Sequence, residues 1–317
     1  MRRRMVGFFA IFVLLLHTSA YAIPEEVVAV GKAVGIGVKC SGLVVVGFSE
    51  DSGAKDSGLR QGDRIVMVDG QQVGEVETLR SMLQEKSQVT VTALRNDREQ
   101  SFLVPLREQG GMKRMGVNVK SEMTGIGTVT YYDPETGKYG ALGHGITDGL
   151  ELFPVEEGII CRATILRVEP GKPGAPGMLQ GAFDLDARIG TVEKNTPCGI
   201  FGTMTQRPEG KLLPVGTEES VKTGAAVILC NVDGEKVAEY AVEITAIHPA
   251  EDETGRNMMI HVTDERLLRR TGGIVQGVSG SPIIQNGRLI GAVTHVLVAD
   301  PSRGYGIFIE NMLDAAA

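Results

Sequence analysis

The chain has 317 residues, 42% hydrophobic, 22% charged and only 5% aromatic, with 42 glycines and no tryptophan. That length accommodates two domains, and a formal net charge of −7 without a long basic block excludes nucleic acid as a partner. Abundant glycine with few helical runs favours short strands joined by tight turns.

Arg2, Arg3 and Arg4 form a positive cluster, Met5 to Leu16 an apolar run, and Ala20-Tyr21-Ala22 a small-residue cleavage pattern. Residues 1–22 therefore read as a secretory signal peptide. The run falls short of the about 20 apolar residues that span a bilayer, and an uncleaved N-terminal anchor is the alternative. In either case Ile23 onward is expected outside the cytosol. Export permits disulfides, but Cys40, Cys161, Cys198 and Cys230 allow three pairings between which the sequence does not choose. None lies in a C-x-x-C motif and no H-E-x-x-H occurs, so no metal or other cofactor is expected.

Residues 34–107 read as one compact unit. Val44-Val45-Val46 is a β-branched run, Ile65 to Val68 a buried strand, and Asp69-Gly70 a hairpin signal. Glu77 to Glu85 has helical spacing with Leu79, Met82 and Leu83 on one face. Val89 to Leu94 and Ser101 to Leu106 pair around Asn96-Asp97. Ser57-Gly58-Leu59, Gly62-Asp63-Arg64-Ile65 and Asp69-Gly70-Gln71-Gln72-Val73 together resemble a bacterial-type PDZ domain. Such domains bind extended peptides by strand addition, often capturing a C-terminal carboxylate. The resemblance puts the carboxylate loop near Ser41-Gly42-Leu43-Val44.

Gln109-Gly110-Gly111 is the expected linker, and residues 112–313 the second domain. Its Val, Ile and Thr content, punctuated by Gly, Pro, Asn and Asp, predicts an all-β barrel or sandwich with at most one short helix at Glu265 to Arg270. Near its end lies Gly277-Val278-Ser279-Gly280-Ser281-Pro282, ahead of a turn at Asn286-Gly287 and a strand from Leu289. Glycines flanking a serine let the backbone approach a substrate and aim the amides of Gly277 and Ser279 at one point. The arrangement resembles the nucleophile loop of chymotrypsin-like serine proteases.

A nucleophilic serine needs a base. His17 belongs to the leader, His248 precedes Pro249 in a loop, and His261 lies in an apparent strand. His295 falls on the strand after the serine loop, where it either contacts substrate or packs. His144, in Ala141-Leu142-Gly143-His144-Gly145, suits a cleft edge.

Longer matches sharpen the reading. Lys138 to His144, Ile200 to Thr203, Val262 to Leu268, Thr271 to Gly287, Gly291 to His295 and Gly304-Tyr305-Gly306 resemble the stage IV sporulation protein B peptidases over nearly the whole exported chain. That resemblance implies a mostly β protein, an α+β PDZ domain followed by a chymotrypsin-like peptidase domain. It implies a serine endopeptidase made in the forespore that crosses the forespore membrane. There it cleaves a membrane-bound regulator of an intramembrane protease, so that a late mother-cell sigma factor is activated, and it also cuts its own N-terminal segment. By motif, Ser279 is the nucleophile, His144 the base and Asp264 the acid. Asp264 lies only 15 residues before Ser279, and Asp148, Asp184 and Asp186 are alternatives. Asp264 also suits the N-cap of a helix at Arg266-Leu267-Leu268. Two other functions compete: an inactive PDZ scaffold, and an extracytoplasmic quality-control protease, in which the PDZ module usually follows the protease.

Overall fold

The structure, a computed structural model, describes residues 23–96, 98–148, 151–248 and 255–317. The leader at 1–22 and Asp97 lie outside the described residues.

Among the described residues four buried clusters form, three of them the cores described below and the fourth joining Val27, Phe201, Leu289, Ile307 and Met312. The last of the three cores along the chain is a closed barrel of six strands: Gly224–Asp233, Lys236–Ile247, Met258–Val262, Arg303–Phe308, Arg288–Val296 and Pro282–Gln285, in that spatial order. Its interior holds Ile228, Ile244, Ile260, Val262, Ile283 and Phe308. Burial alternates along the strand, with Ala226, Ile228 and Cys230 buried and Ala225, Val227 and Leu229 more accessible, which puts one face of the strand inside. A second β layer, built on Ala33–Phe48, Val117–Tyr132, Lys138–Ala141 and Gly199–Thr203, carries a core around Tyr139, Ile160 and Ile200. These two layers are the paired β-barrels of a chymotrypsin-like protease.

The third core is the PDZ unit. Strands Arg64–Val68, Gln88–Arg95 and Arg98–Pro105 and helix Val76–Leu83 bury Leu43, Ile65, Val68, Leu79, Leu83 and Val91. The hairpin predicted at Asp69-Gly70 forms, with both residues at positive φ (50° and 76°) and Met67 paired with Gln72. The expected linker at Gln109-Gly110-Gly111 is instead the turn of a hairpin between Arg107–Gln109 and Met112–Arg114. Gly110 and Gly111 supply the positive φ that such a turn requires.

Two sixteen-residue strands run through both units. Ala33–Phe48 pairs antiparallel with Val117–Tyr132 from Ala33↔Thr128 to Lys39↔Glu122 and, beyond a bend, from Val44↔Lys120 to Phe48↔Val117. Val34, Ile36 and Val38 pack in the N-terminal barrel core, whereas Leu43 and Val45 pack in the PDZ core. The division into residues 34–107 and 112–313 therefore does not coincide with the division between cores. The PDZ unit is set into the first barrel, and Glu26–Ala29 belongs to the barrel through its pairing with Lys211–Pro214 and Val117–Tyr132. No disulfide joins the four cysteines. Burial pushes the Cys40 and Cys230 thiols up to about 11 and about 12, so both stay neutral core groups.

Candidate active site

The loop Gln276 to Ser281 is held by nearly all of its peptide groups. The carbonyl of Gln276 accepts from Leu179 N (2.8 Å), that of Gly277 from Thr128 Oγ1 (2.8 Å), and that of Val278 from Ser281 N and Oγ (3.0 and 2.7 Å). The carbonyl of Ser279 accepts from Thr128 N (3.1 Å) and that of Gly280 from Thr130 Oγ1 (2.7 Å). Among the amides, Gln276 donates to Gly177 O, Val278 to Val275 O, and Gly280 to Val293 O. The amides of Gly277 and Ser279 have no acceptor among the described residues, and both residues line one cleft. Both residues are half-buried at the cleft, so these two amides, with Val278 between them, are open to an external acceptor.

Glycine makes this turn possible. Gly277 and Gly280 have φ of 97° and 94°, and a Cβ on Gly280 would sit 2.1 Å from Thr128 O and 2.5 Å from Leu142 N. Val278, where trypsin-like zymogens carry an Asp, is 1% exposed in the barrel core. Ser279 is half-buried, with Oγ donating to Thr294 O at 2.8 Å. Ser281 is fully buried and spends its hydroxyl on Val278 O. Of the two serines, only Ser279 lines the cleft.

His144 reaches the same cleft from the first barrel. After Lys138–Ala141 the chain passes through two residues at φ 69°, Leu142 and Gly143, which turn it inward, and Leu142 N is tied to Thr128 O. Nδ1 of His144 lies 2.9 Å from Gly145 O. Donation from Nδ1 to that carbonyl leaves the lone pair on Nε2, the tautomer a general base needs. Burial lowers the His144 pKa below its ordinary value, only partly opposed by the Gly145 carbonyl. A larger residue at position 145 has no room here, because its Cβ would meet Leu152 Cδ2 at 2.2 Å and Thr196 O at 2.6 Å.

The cleft encloses about 790 Å³ and is lined by Ser279, His144, His295, Ile274, Leu142 and Gln276 among others, and among the described residues no carboxylate lines it. His295 stands with its ring centroid 5.2 Å from that of His144, and its Nδ1 is buried with no hydrogen-bond partner among the described residues. Burial, then the neighbouring charges of His144 and Arg256, push the His295 pKa down to about 4. His248 and His261 are not among the residues that line the cleft.

Asp264, the acid expected from the family motif, stands elsewhere. It caps helix Glu265–Thr271, with Oδ1 accepting from Arg266 N (2.8 Å) and Nε (3.1 Å) and Oδ2 from Arg266 Nη2 (2.7 Å) and Ala241 N (3.3 Å). Arg266 holds its carboxyl well below the usual range. Both oxygens are committed to these partners. Asp184 and Asp186 are exposed on strand Met178–Thr191. Asp148 closes a turn with Glu151 just beyond His144 (Glu151 N to Oδ1, 2.9 Å).

The expected carboxylate loop is also different. Ser41 bonds Glu156 and Arg64 through its hydroxyl, Gly42 has φ 87°, and Leu43 and Val44 are buried. Residues 43–45 are paired on one edge with residues 62–65, and Val44 and Val45 on the other with Lys120 and Val119, so neither edge is open at Val44. The PDZ unit instead has a groove of about 390 Å³ between helix Val76–Leu83 and residues 109–120. Val76, Leu79, Leu83 and Met115 are among its apolar lining, while Arg80, Lys113, Arg114 and Lys120 also line it and no carboxylate does.

Residues 111–313 match the family model for SpoIVB peptidase S55. The chain belongs to that family. Residues 26–106 match the PDZ domain model. No curated protein matches the sequence. Among solved structures, the Rv3671c protease of Mycobacterium tuberculosis in its active form is similar at 16% identity, covering 62% of this chain and 75% of that one, with a TM-score of 0.36. The HtrA-type protease AlgW with a decapeptide is similar at 11% identity over 91% of this chain and 64% of that one (TM-score 0.36). The PDZ domain of an SdrC-like protein of Listeria monocytogenes is similar at 21% identity over 26% and 90% (TM-score 0.24). This S55 peptidase is a serine endopeptidase, and it acts on protein substrates.

Proposed function

We propose that Ser279 is the nucleophile and His144 the general base, with the amides of Gly277 and Ser279 as the oxyanion hole. The observation that carries this reading is the hydrogen bonding of the loop, which leaves those two amides alone unpaired beside a half-buried serine in a cleft shared with a histidine. In the reaction, Ser279 Oγ leaves Thr294 O, gives its proton to His144 Nε2 and attacks the scissile carbonyl. The oxyanion is received by the two amides, and His144 returns the proton to the leaving amine. The carbonyl of Gly145 holds the imidazole tautomer, a task given to a carboxylate in the better-known triads.

The family match and the leader-like N-terminus support a finer reading. The enzyme works outside the forespore membrane of a spore-forming bacterium, on a membrane-bound regulator of an intramembrane protease and on its own N-terminal segment. The basic, apolar PDZ groove supports capture of a peptide with apolar side chains and a carboxylate. A buried Val278 leaves no partner for a newly cut N-terminus, which supports control through the PDZ unit or removal of the leader. To test this, one sample each of wild type and Ser279→Ala is labelled with a fluorophosphonate, and separate unlabelled samples are incubated with exported membrane proteins of a sporulating cell, the fragments being identified by mass spectrometry. Labelling and cleavage of one membrane regulator by wild type only is expected. Equal labelling of Ser279→Ala would remove Ser279 from its role, and cleavage of many unrelated proteins would point to quality control.

A further inference from the structure

We propose that Thr128 and Thr130 are positioning residues that set the shape of the nucleophile loop, an inference that rests on reading Ser279 as the nucleophile. Both lie on strand Val117–Tyr132, where the two-residue period puts their side chains on one face. Their relative exposures are 1% and 0%, on either side of the buried Val129. A buried threonine has no packing or strand-propensity advantage over valine, which has the same shape and favours strands as strongly. The hydroxyls are therefore the informative part, and a buried hydroxyl is costly unless it is bonded.

Each hydroxyl binds the carbonyl of a loop glycine, Thr128 Oγ1 that of Gly277 and Thr130 Oγ1 that of Gly280. Those glycines are the two loop residues at left-handed φ, and without a Cβ their peptide planes have the weakest intrinsic barrier to rotation. Between them, Thr128 N holds the carbonyl of Ser279. The strand thus grips three of the four carbonyls from Gly277 to Gly280, while Ser281 holds the fourth at Val278. The Gly277 amide shares its peptide plane with Gln276 O, held by Leu179 N, and the Ser279 amide shares its plane with Val278 O, held by Ser281. Thr128 and Thr130 fix the neighbouring planes, so neither amide can turn from the cleft without breaking one of these bonds. Thr128 also ties in the base, because its own carbonyl accepts from Leu142 N at the head of the turn that carries His144. One residue thereby fixes the nucleophile loop through its amide and hydroxyl and the histidine turn through its carbonyl. Substitution at 128 removes only the hydroxyl contribution, and that part can be measured.

The experiment compares wild type, Thr128→Val, Thr128→Ser, Thr130→Val and Ser279→Ala on a short peptide substrate. Inhibition by a peptide aldehyde is measured alongside, because its tetrahedral adduct puts an oxygen in the oxyanion site. Thr128→Val is expected to lower kcat about 10- to 100-fold, less than the loss on deleting a direct oxyanion donor. KM should stay within about twofold, and aldehyde affinity should fall by the same factor as kcat/KM. Thr128→Ser, which keeps the hydroxyl, should recover kcat to within about threefold of wild type. Thr130→Val should show the same pattern more weakly, and it carries the test if Thr128→Val does not fold. The proposal is overturned if folded Thr128→Val and Thr130→Val keep kcat within about threefold of wild type. It is also overturned if Thr128→Ser is as impaired as Thr128→Val. An active Ser279→Ala would instead defeat the nucleophile assignment, so the two failures are separable.

Discussion

Replacing Asp264 separates a capping residue from a catalytic acid. In the structure its carboxylate accepts four hydrogen bonds, three from Arg266 and one from Ala241 N, and none from the cleft. Loss of an N-cap side chain to alanine costs about 0.5–2 kcal/mol. The ion pair adds little, because Arg266 is 63% exposed although the Asp264 side chain is only 11% exposed. Asp264→Ala is therefore expected to lose about 0.5–2 kcal/mol, or about 1–8 °C in Tm for a domain of this size. Asn caps nearly as well as Asp, so Asp264→Asn should lose about 1 kcal/mol or less. The carboxyl is held below its ordinary pKa, so its stabilisation is present at neutral pH and is lost as the pH falls below about 4. The Tm difference between wild type and Asp264→Asn should shrink in that acid window. Turnover decides the role: a triad acid changed to Asn costs about 10⁴-fold in kcat, whereas the capping geometry predicts a change within about threefold. The assay is kcat on a peptide substrate together with thermal melts from pH 3 to 8. A folded Asp264→Asn protein that has lost about 10³-fold or more in kcat would refute the reasoning.

Burial lowers the His144 pKa and the base acts when neutral, so the acid limb of kcat/KM should rise with a midpoint below about 6.5; a midpoint above 7 would contradict this. Gly280→Ala puts a Cβ 2.1 Å from Thr128 O at φ 94°, and about 100-fold or greater loss of activity with a lowered Tm is expected; activity within twofold of wild type would show that the loop yields. Arg80→Glu combined with Lys113→Glu reverses charge at the PDZ groove. Cleavage of the membrane partner should fall about tenfold while short-peptide hydrolysis changes less than about twofold, because the module supplies local concentration rather than chemistry. Equal losses in both assays would show that the groove acts on the active site itself.

Much of this protein was written locally. The hairpin at Asp69-Gly70, the helix carrying Leu79 and Leu83, the short helix after Asp264 and the β-rich character of the second unit each follow from turn chemistry or periodicity within a few residues and are present; helix Ile309–Ala316, which buries Met312 and Leu313, departs from the all-β expectation. The serine loop and His144 stand out by motif, because glycines at fixed spacing around a reactive residue leave a sequence signature. Asp264 reads both ways, since Asp followed by Glu-Arg-Leu-Leu satisfies a family motif and a helix cap alike. Its hydrogen bonds to Arg266 and Ala241 appear only in the fold. The residues at 41–44 have the glycine and apolar pattern of a peptide-binding loop, yet their strand edge is closed by residues 117–120, more than seventy positions away. The limit of the PDZ unit could not be read either, because Val34 and Leu43 are equally apolar on one strand and only their partners assign them to different cores. Thr128 and Thr130 look like any polar strand positions until the fold brings them to Gly277 and Gly280, about 150 residues on. Propensity and turn geometry act over a few bonds and are encoded where they act. A strand edge, a carboxylate's partner or a hydroxyl's acceptor is a pairing between distant segments, and only the closed fold decides it.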